Sequence, residues 1–131
     1  LNFAISTTNC SFVIVGVLVL MANRIDKKYD IIAGKIYEKL GERNAYGHHT
    51  EDIEYIERFA AGGNISKRDV RSVIQEEISS GRLGKDRDSI SISMDREKLG
   101  EVLEHYGWRI KRSVRERLEE LTMGRIPTGV R

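Results

Sequence analysis

The chain has 131 residues, of which 40% are hydrophobic and 32% charged, with 22 Lys and Arg against 20 Asp and Glu. That length suits one compact domain, and the composition excludes wholesale disorder. The near-balance of charge excludes a polybasic tail, so any anionic partner must be met by a local patch. The lone cysteine, Cys10, excludes an internal disulfide and a cysteine zinc cage, and it fits a reducing, intracellular (cytoplasmic) setting.

Residues 1–23, LNFAISTTNCSFVIVGVLVLMAN, carry no charge. Their densest apolar part, Phe12 to Met21, is ten residues long, short of the roughly 20 that a membrane-spanning helix needs. It has the length of a signal-peptide core but lacks the basic flank and the small-residue cleavage site. Three readings stay open: an upstream extension ahead of a cytosolic start at MANRIDKKYD, a membrane anchor whose cytoplasmic side is held by Arg24, Lys27 and Lys28, or a buried strand.

From Lys28 the sequence becomes periodic. Tyr29, Ile32, Ala33, Ile36, Tyr37 and Leu40 form one apolar helical stripe, with Gly41 as a stop. A loop follows, then Thr50 as the cap of a second helix that runs to about Ala61 with Ile53, Ile56, Phe59 and Ala60 inward. Ser66 caps a third helix, and Asp69 three positions on completes a capping box. Val70, Val73, Ile74 and Ile78 are its inward stripe, and Gly81 closes it. In RLGKDRDSISISM, Ile90, Ile92 and Met94 alternate with serines as a half-buried strand does, Leu83 starts a partner strand, and GKDRD is the hairpin tip. Asp95 caps a fourth helix with Leu99, Val102, Leu103 and Tyr106 inward. A fifth runs from about Trp108 to Met123, and the tail GRIPTGVR frays.

The third helix segregates its charge. At about 100° per residue, the arc opposite the apolar stripe holds Arg68, Arg71, Ser72, Gln75 and Ser79, while Asp69, Glu76 and Glu77 fall on the flanks or toward the core. Arg can fork two hydrogen bonds onto guanine and Gln onto adenine, so these are side-chain types suited to a DNA groove. A solvated face that happens to lack acids has the same pattern.

The segment FAAGGNISKRDVRSV, Phe59 to Val73, resembles the helix-turn-helix pattern, with small Ala60, turn residue Asn64, apolar Ile65, capping Ser66, then Val70 and Val73. With the hairpin after it, the stretch from about Lys28 to Met94 is similar to the winged-helix variant of that superfamily. The resemblance implies a winged helix-turn-helix over residues 24–94, and with the two further helices that the pattern gives over 95–131 the expected fold is mainly α with a small β-hairpin. It also implies a reading helix in the major groove and a wing on phosphate or minor groove. Carried over, Lys67, Arg68, Arg71, Ser72 and Gln75 are the reading residues, and Lys85 and Arg87 the wing contacts. The expected function is sequence-specific binding of double-stranded DNA in transcriptional regulation, with no catalysis. The alternatives are a winged-helix module for protein contact and a membrane-tethered cytoplasmic domain.

Other constellations point to nothing stronger. His48 and His49 are adjacent, so they point apart in an extended loop, and no third ligand is suitably spaced, which argues against a metal site. No phosphate loop, nucleophile and base, or informative carboxylate pair suggests a cofactor or a reaction. On the fifth helix, Ile110, Val114, Leu118 and Leu121 form a narrow stripe of the kind that pairs helices, which makes the helix a candidate homodimer seam. A second phosphate-contacting element and a solvated helix are the other readings.

Overall fold

The computed structural model describes residues 27–124, and the expectations for the uncharged leader and for most of the C-terminal tail fall outside them. Helix α1 occupies residues 27–42, and of its apolar stripe Ile32, Ala33, Ile36, Tyr37 and Leu40 are buried as the periodicity predicts, with Tyr29 partly so. Strand β1 (Glu51–Asp52), helix α2 (Ile53–Ala60) and helix α3 (Lys67–Ser80) follow. Strands β2 (Leu83–Asp86) and β3 (Ser89–Ile92) form the hairpin, and helices α4 (Arg96–Tyr106) and α5 (Arg112–Thr122) close the fold around a short 3-10 turn, Gly107–Arg109. The protein is mainly helical with a small antiparallel sheet in the order β1-β3-β2.

Local signals account for most boundaries. Ser66 accepts from the Asp69 amide and Asp69 accepts from the Ser66 amide, so the capping box of α3 is complete in both directions. At the other end Gly81 turns the chain out with φ 85, a left-handed conformation natural to glycine. The second helix starts later than expected. Its cap is Asp52, whose side chain accepts from the Glu54 amide, because the residues after Thr50 pair with β3 first, Glu51 opposite Ile90 and Asp52 opposite Ser89. Pairing in the hairpin extends to Asp86 and Ser89, so the tip is two residues and not five, with Arg87 at φ 56. In β3 Ile90 and Ile92 are buried as expected, but Ser91 is buried between them and Met94 is exposed.

All five helices and both hairpin strands contribute to one hydrophobic core. The fifth helix departs most from expectation. Val114, Leu118 and Leu121 on α5 and Ile110, which precedes the helix with extended backbone, are each at most 4% exposed within the single chain, so this stripe faces the chain's own core and is not free to pair with a second copy. The narrow line suffices because α5 lies against α4 and the end of α1. A Cβ on Gly41 would collide with Val114 Cγ1. Lys111 donates its amide to Glu38 at 2.7 Å, and Arg117 donates to the Gly41 carbonyl and to Asn44 at 3.0 and 2.8 Å.

The second departure is a buried charge. Glu77 lies on the inward face of α3 with no exposure. Its carboxylate accepts from Tyr29 at 2.5 Å, Tyr37 at 2.7 Å and Tyr106 at 3.2 Å, and from Arg82 Nε and Nη2 at 2.9 and 2.8 Å. Arg82 also donates to Glu101 at 3.0 Å. Desolvation pushes the Glu77 carboxyl up, but the hydrogen bonds from Arg82, Tyr29 and Tyr37, together with the guanidinium charge, outweigh it and hold the group below its ordinary value.

Two outcomes follow from these contacts. Gly41→Ala is expected to destabilise the fold by about 1–3 kcal/mol through overpacking, despite alanine's better helix propensity. Urea denaturation measures this, and adding Val114→Ala recovers part of the loss. Because the folded chain releases the Glu77 proton more readily than the unfolded one, the linked stability is complete above the ordinary glutamate value of 4.5 and is lost as pH falls through the lowered folded value. The urea midpoint of the unaltered protein therefore drops below that pH, with a shallower slope in Glu77→Gln.

Candidate nucleic-acid interface

The core fixes the rotation of α3 and hence which side chains it presents. With Val70, Val73, Ile74 and Glu77 inward, the outward face carries Arg68, Ser72, Gln75 and Ser79, all exposed. Lys67 and Arg71 stand on one flank, above a cleft of about 690 Å³ between α3, the first turns of α2 and the hairpin. Lys67, Arg71, Gln75 and Lys85 line this cleft together. Arg68 lies outside it, Ser72 borders a smaller recess against α1, and Arg87 stands at the hairpin tip. All seven residues expected to contact DNA are exposed, but only four share one concavity.

The acids of α3 are diverted in different ways. Glu77 is enclosed by tyrosines and Arg82. Asp69 is turned to its own cap and to Lys28 at 3.0 Å, contacts that hold its carboxyl below the ordinary range, the Ser66 amide first. Glu76 remains exposed on the side away from the cleft. Among the described residues Lys67, Arg68, Lys85 and Arg87 have no acidic partner, which leaves them available to an anion. Asp86 and Asp88 flank Arg87, so the tip has no excess of positive charge.

One arginine is not free. Arg71 donates Nε to Glu57 Oε1 at 3.0 Å and Nη2 to Glu57 Oε2 at 3.1 Å, a fork that raises its pKa through the hydrogen bond first and the charge second. The Glu57 side chain is 4% exposed and that of Arg71 62%. Sequence reasoning missed Glu57, placing Phe59 inward instead. In the structure Phe59 is 41% exposed with Lys39 Nζ 4.6 Å from its ring centroid. The signal was available: Ile53, Ile56, Glu57 and Ala60 have the i, i+3, i+4, i+7 spacing of a buried face. Val70, Val73, Ile74 and Glu77 repeat it.

The cleft also holds Asp52, Glu54 and Asp88, so it is a surface of mixed sign. Among the described residues no three His, Cys, Asp or Glu side chains come together as a metal site, and no helix is long and apolar enough to cross a membrane. No protein-family model, curated protein or solved structure matches the chain.

The pairing sets the two arginines apart. Arg71→Ala strands a buried carboxylate and lowers the thermal midpoint, whereas Arg68→Ala leaves it nearly unchanged. Equal midpoints in the two variants would mean that Glu57 does not need its partner.

Proposed function

We propose that the protein binds double-stranded DNA without catalysis, α3 lying in the major groove and the β2–β3 hairpin acting as a wing, in the service of transcriptional control. The observation that carries the reading is the outward face of α3, where Arg68, Ser72 and Gln75 stand exposed beside Lys67 while two of the helix's three acids turn to partners within the protein. The element order adds support. Three helices precede a hairpin, and a short strand ahead of α2 pairs with the second hairpin strand, an arrangement similar to the winged-helix variant of the helix-turn-helix superfamily. Nothing in this reading needs a dimer through α5, whose apolar stripe is already covered.

A second reading, a module that binds a protein segment, is favoured by the acids of the cleft, since Asp52, Glu54 and Asp88 repel phosphate but suit a basic peptide.

A salt titration on random duplex DNA separates the two. Contacts from Lys67, Arg68, Lys85 and Arg87 predict a negative log–log slope of about 0.9 per phosphate met. Arg68→Ala is expected to reduce it by about one. A slope near zero, or no binding at low salt, favours the protein-contact reading.

A further inference from the structure

We infer that Arg71 is a guanine-reading side chain and that buried Glu57 is the residue that positions it, an assignment that rests on the DNA reading above. Of the five N–H donors of a guanidinium, Glu57 engages the pair on the Nε–Nη2 side. The terminal edge, with both hydrogens of Nη1 and the outer one of Nη2, stays open. That edge matches the O6 and N7 acceptors that guanine presents in the major groove, the geometry of an end-on bidentate contact.

Three physical points favour base reading over phosphate binding or plain stabilisation. The charge of Arg71 is already balanced by a carboxylate at hydrogen-bond distance, so a phosphate gains little from it, while the directional edge is undiminished. Second, an ion pair with one partner in the interior is weak evidence for stability, because well-packed apolar residues often serve as well. What the fork supplies is orientation: two hydrogen bonds fix the plane and rotamer of an arginine that is otherwise mostly in water. Third, that restriction is present before binding, so less side-chain freedom is lost when the partner arrives. Gln75 lies one turn further along α3 and lines the same cleft, which places an adenine-compatible amide next to the guanine-reading edge.

Arg68 is the contrast. It has no partner among the described residues to hold its fork, so it acts as a mobile charge and its effect falls on the salt slope. The two arginines divide the work, Arg71 discriminating bases and Arg68 meeting phosphate.

Selection of binding sites from random duplexes with the full chain, followed by titrations on the selected duplex, tests this. The unaltered protein selects at least one guanine, and replacing that base by 7-deazaguanine, which lacks the N7 acceptor, weakens binding roughly 5- to 150-fold. Glu57→Gln removes the charged fork, and Arg71→Lys keeps a cation on Glu57 but has no planar edge. Each is expected to lose the guanine discrimination while keeping the salt slope, and Arg68→Ala to do the reverse. Arg71→Lys decides alone if Glu57→Gln does not fold. A selected duplex without guanine, or discrimination that survives either variant, overturns the inference and leaves salt-dependent DNA binding standing. Absence of salt-dependent duplex binding by the unaltered chain overturns both, and it is read without any variant.

Discussion

The fold turns on the ionised carboxylate of Glu77. A charge in the interior is tolerated only when it is paired and its remaining lone pairs are hydrogen-bonded, and here the donors come from three directions. Tyr29 and Tyr37 reach it from α1, Tyr106 from α4 and Arg82 from the turn after α3. Tyr37 and Tyr106 stack with ring centroids 5.6 Å apart, so the same side chains that satisfy the charge fill the apolar space around it. No apolar residue at this position could impose the same geometry, because a hydrophobic contact has no direction and a carboxylate with this set of donors does. Once Glu77 is held, α3 cannot rotate about its axis, and its outward face is determined.

Glu57 shows how the same device works with one side open. Both carboxylates are fully or nearly enclosed and both take the side-on fork of an arginine. The difference lies in the arginines. The Arg82 side chain is 16% exposed and has a second acid, Glu101, on its remaining donors, whereas Arg71 is 62% exposed and its outer edge meets solvent. An arginine satisfied on every side is a cross-link; one satisfied on one side only is an oriented surface group. The two pairs engage different faces of α3, so one sets the roll of the helix and the other sets a side chain that the roll exposes.

Much of the fold was legible because local chemistry and tertiary structure agree there. The stripe of α1, the capping box of α3 and the burial of Ile90 and Ile92 are each specified within a few residues and found in place, although Ser91 is buried between the two isoleucines. The misreadings share a cause: they depend on groups distant in sequence. Strand β1 is two residues long and exists because β3 is there to pair with it. Glu57 and Glu77 have helical spacing that puts them inside, but a carboxylate reads as a surface residue until its donors are known, and those of Glu77 lie up to 48 residues away. The α5 stripe was narrow enough to suggest a partner helix; its partner proved to be α1 and α4 of the same chain, through a contact that needs glycine at position 41. For the candidate interface, the residues on the outward face of α3 could be named from spacing, whereas the engagement of Arg71 could not.

Near-neutral net charge need not count against an anionic partner when acids are placed selectively. Glu77, Asp69 and Glu57 all lie on or beside α3, and each is bound to a group of the protein itself, so of the acids on that helix only Glu76 is left to offset Lys67 and Arg68 outside it. Of the other exposed acids, Asp52, Glu54 and Asp88 line the cleft below the helix, and Glu76 stands on the side of α3 away from it. A duplex resting on that ridge would meet the cations at close range, with the acids set back. Over a Debye length of about 8–10 Å at ordinary salt, such a difference in distance matters more than the total. The hairpin tip adds a constraint of its own. Arg87 adopts a left-handed backbone conformation that glycine would take without strain, at a cost of roughly 1 kcal/mol. A long cationic side chain at such a point is exposed on a short two-residue turn, a placement that suits the wing of the proposed duplex complex.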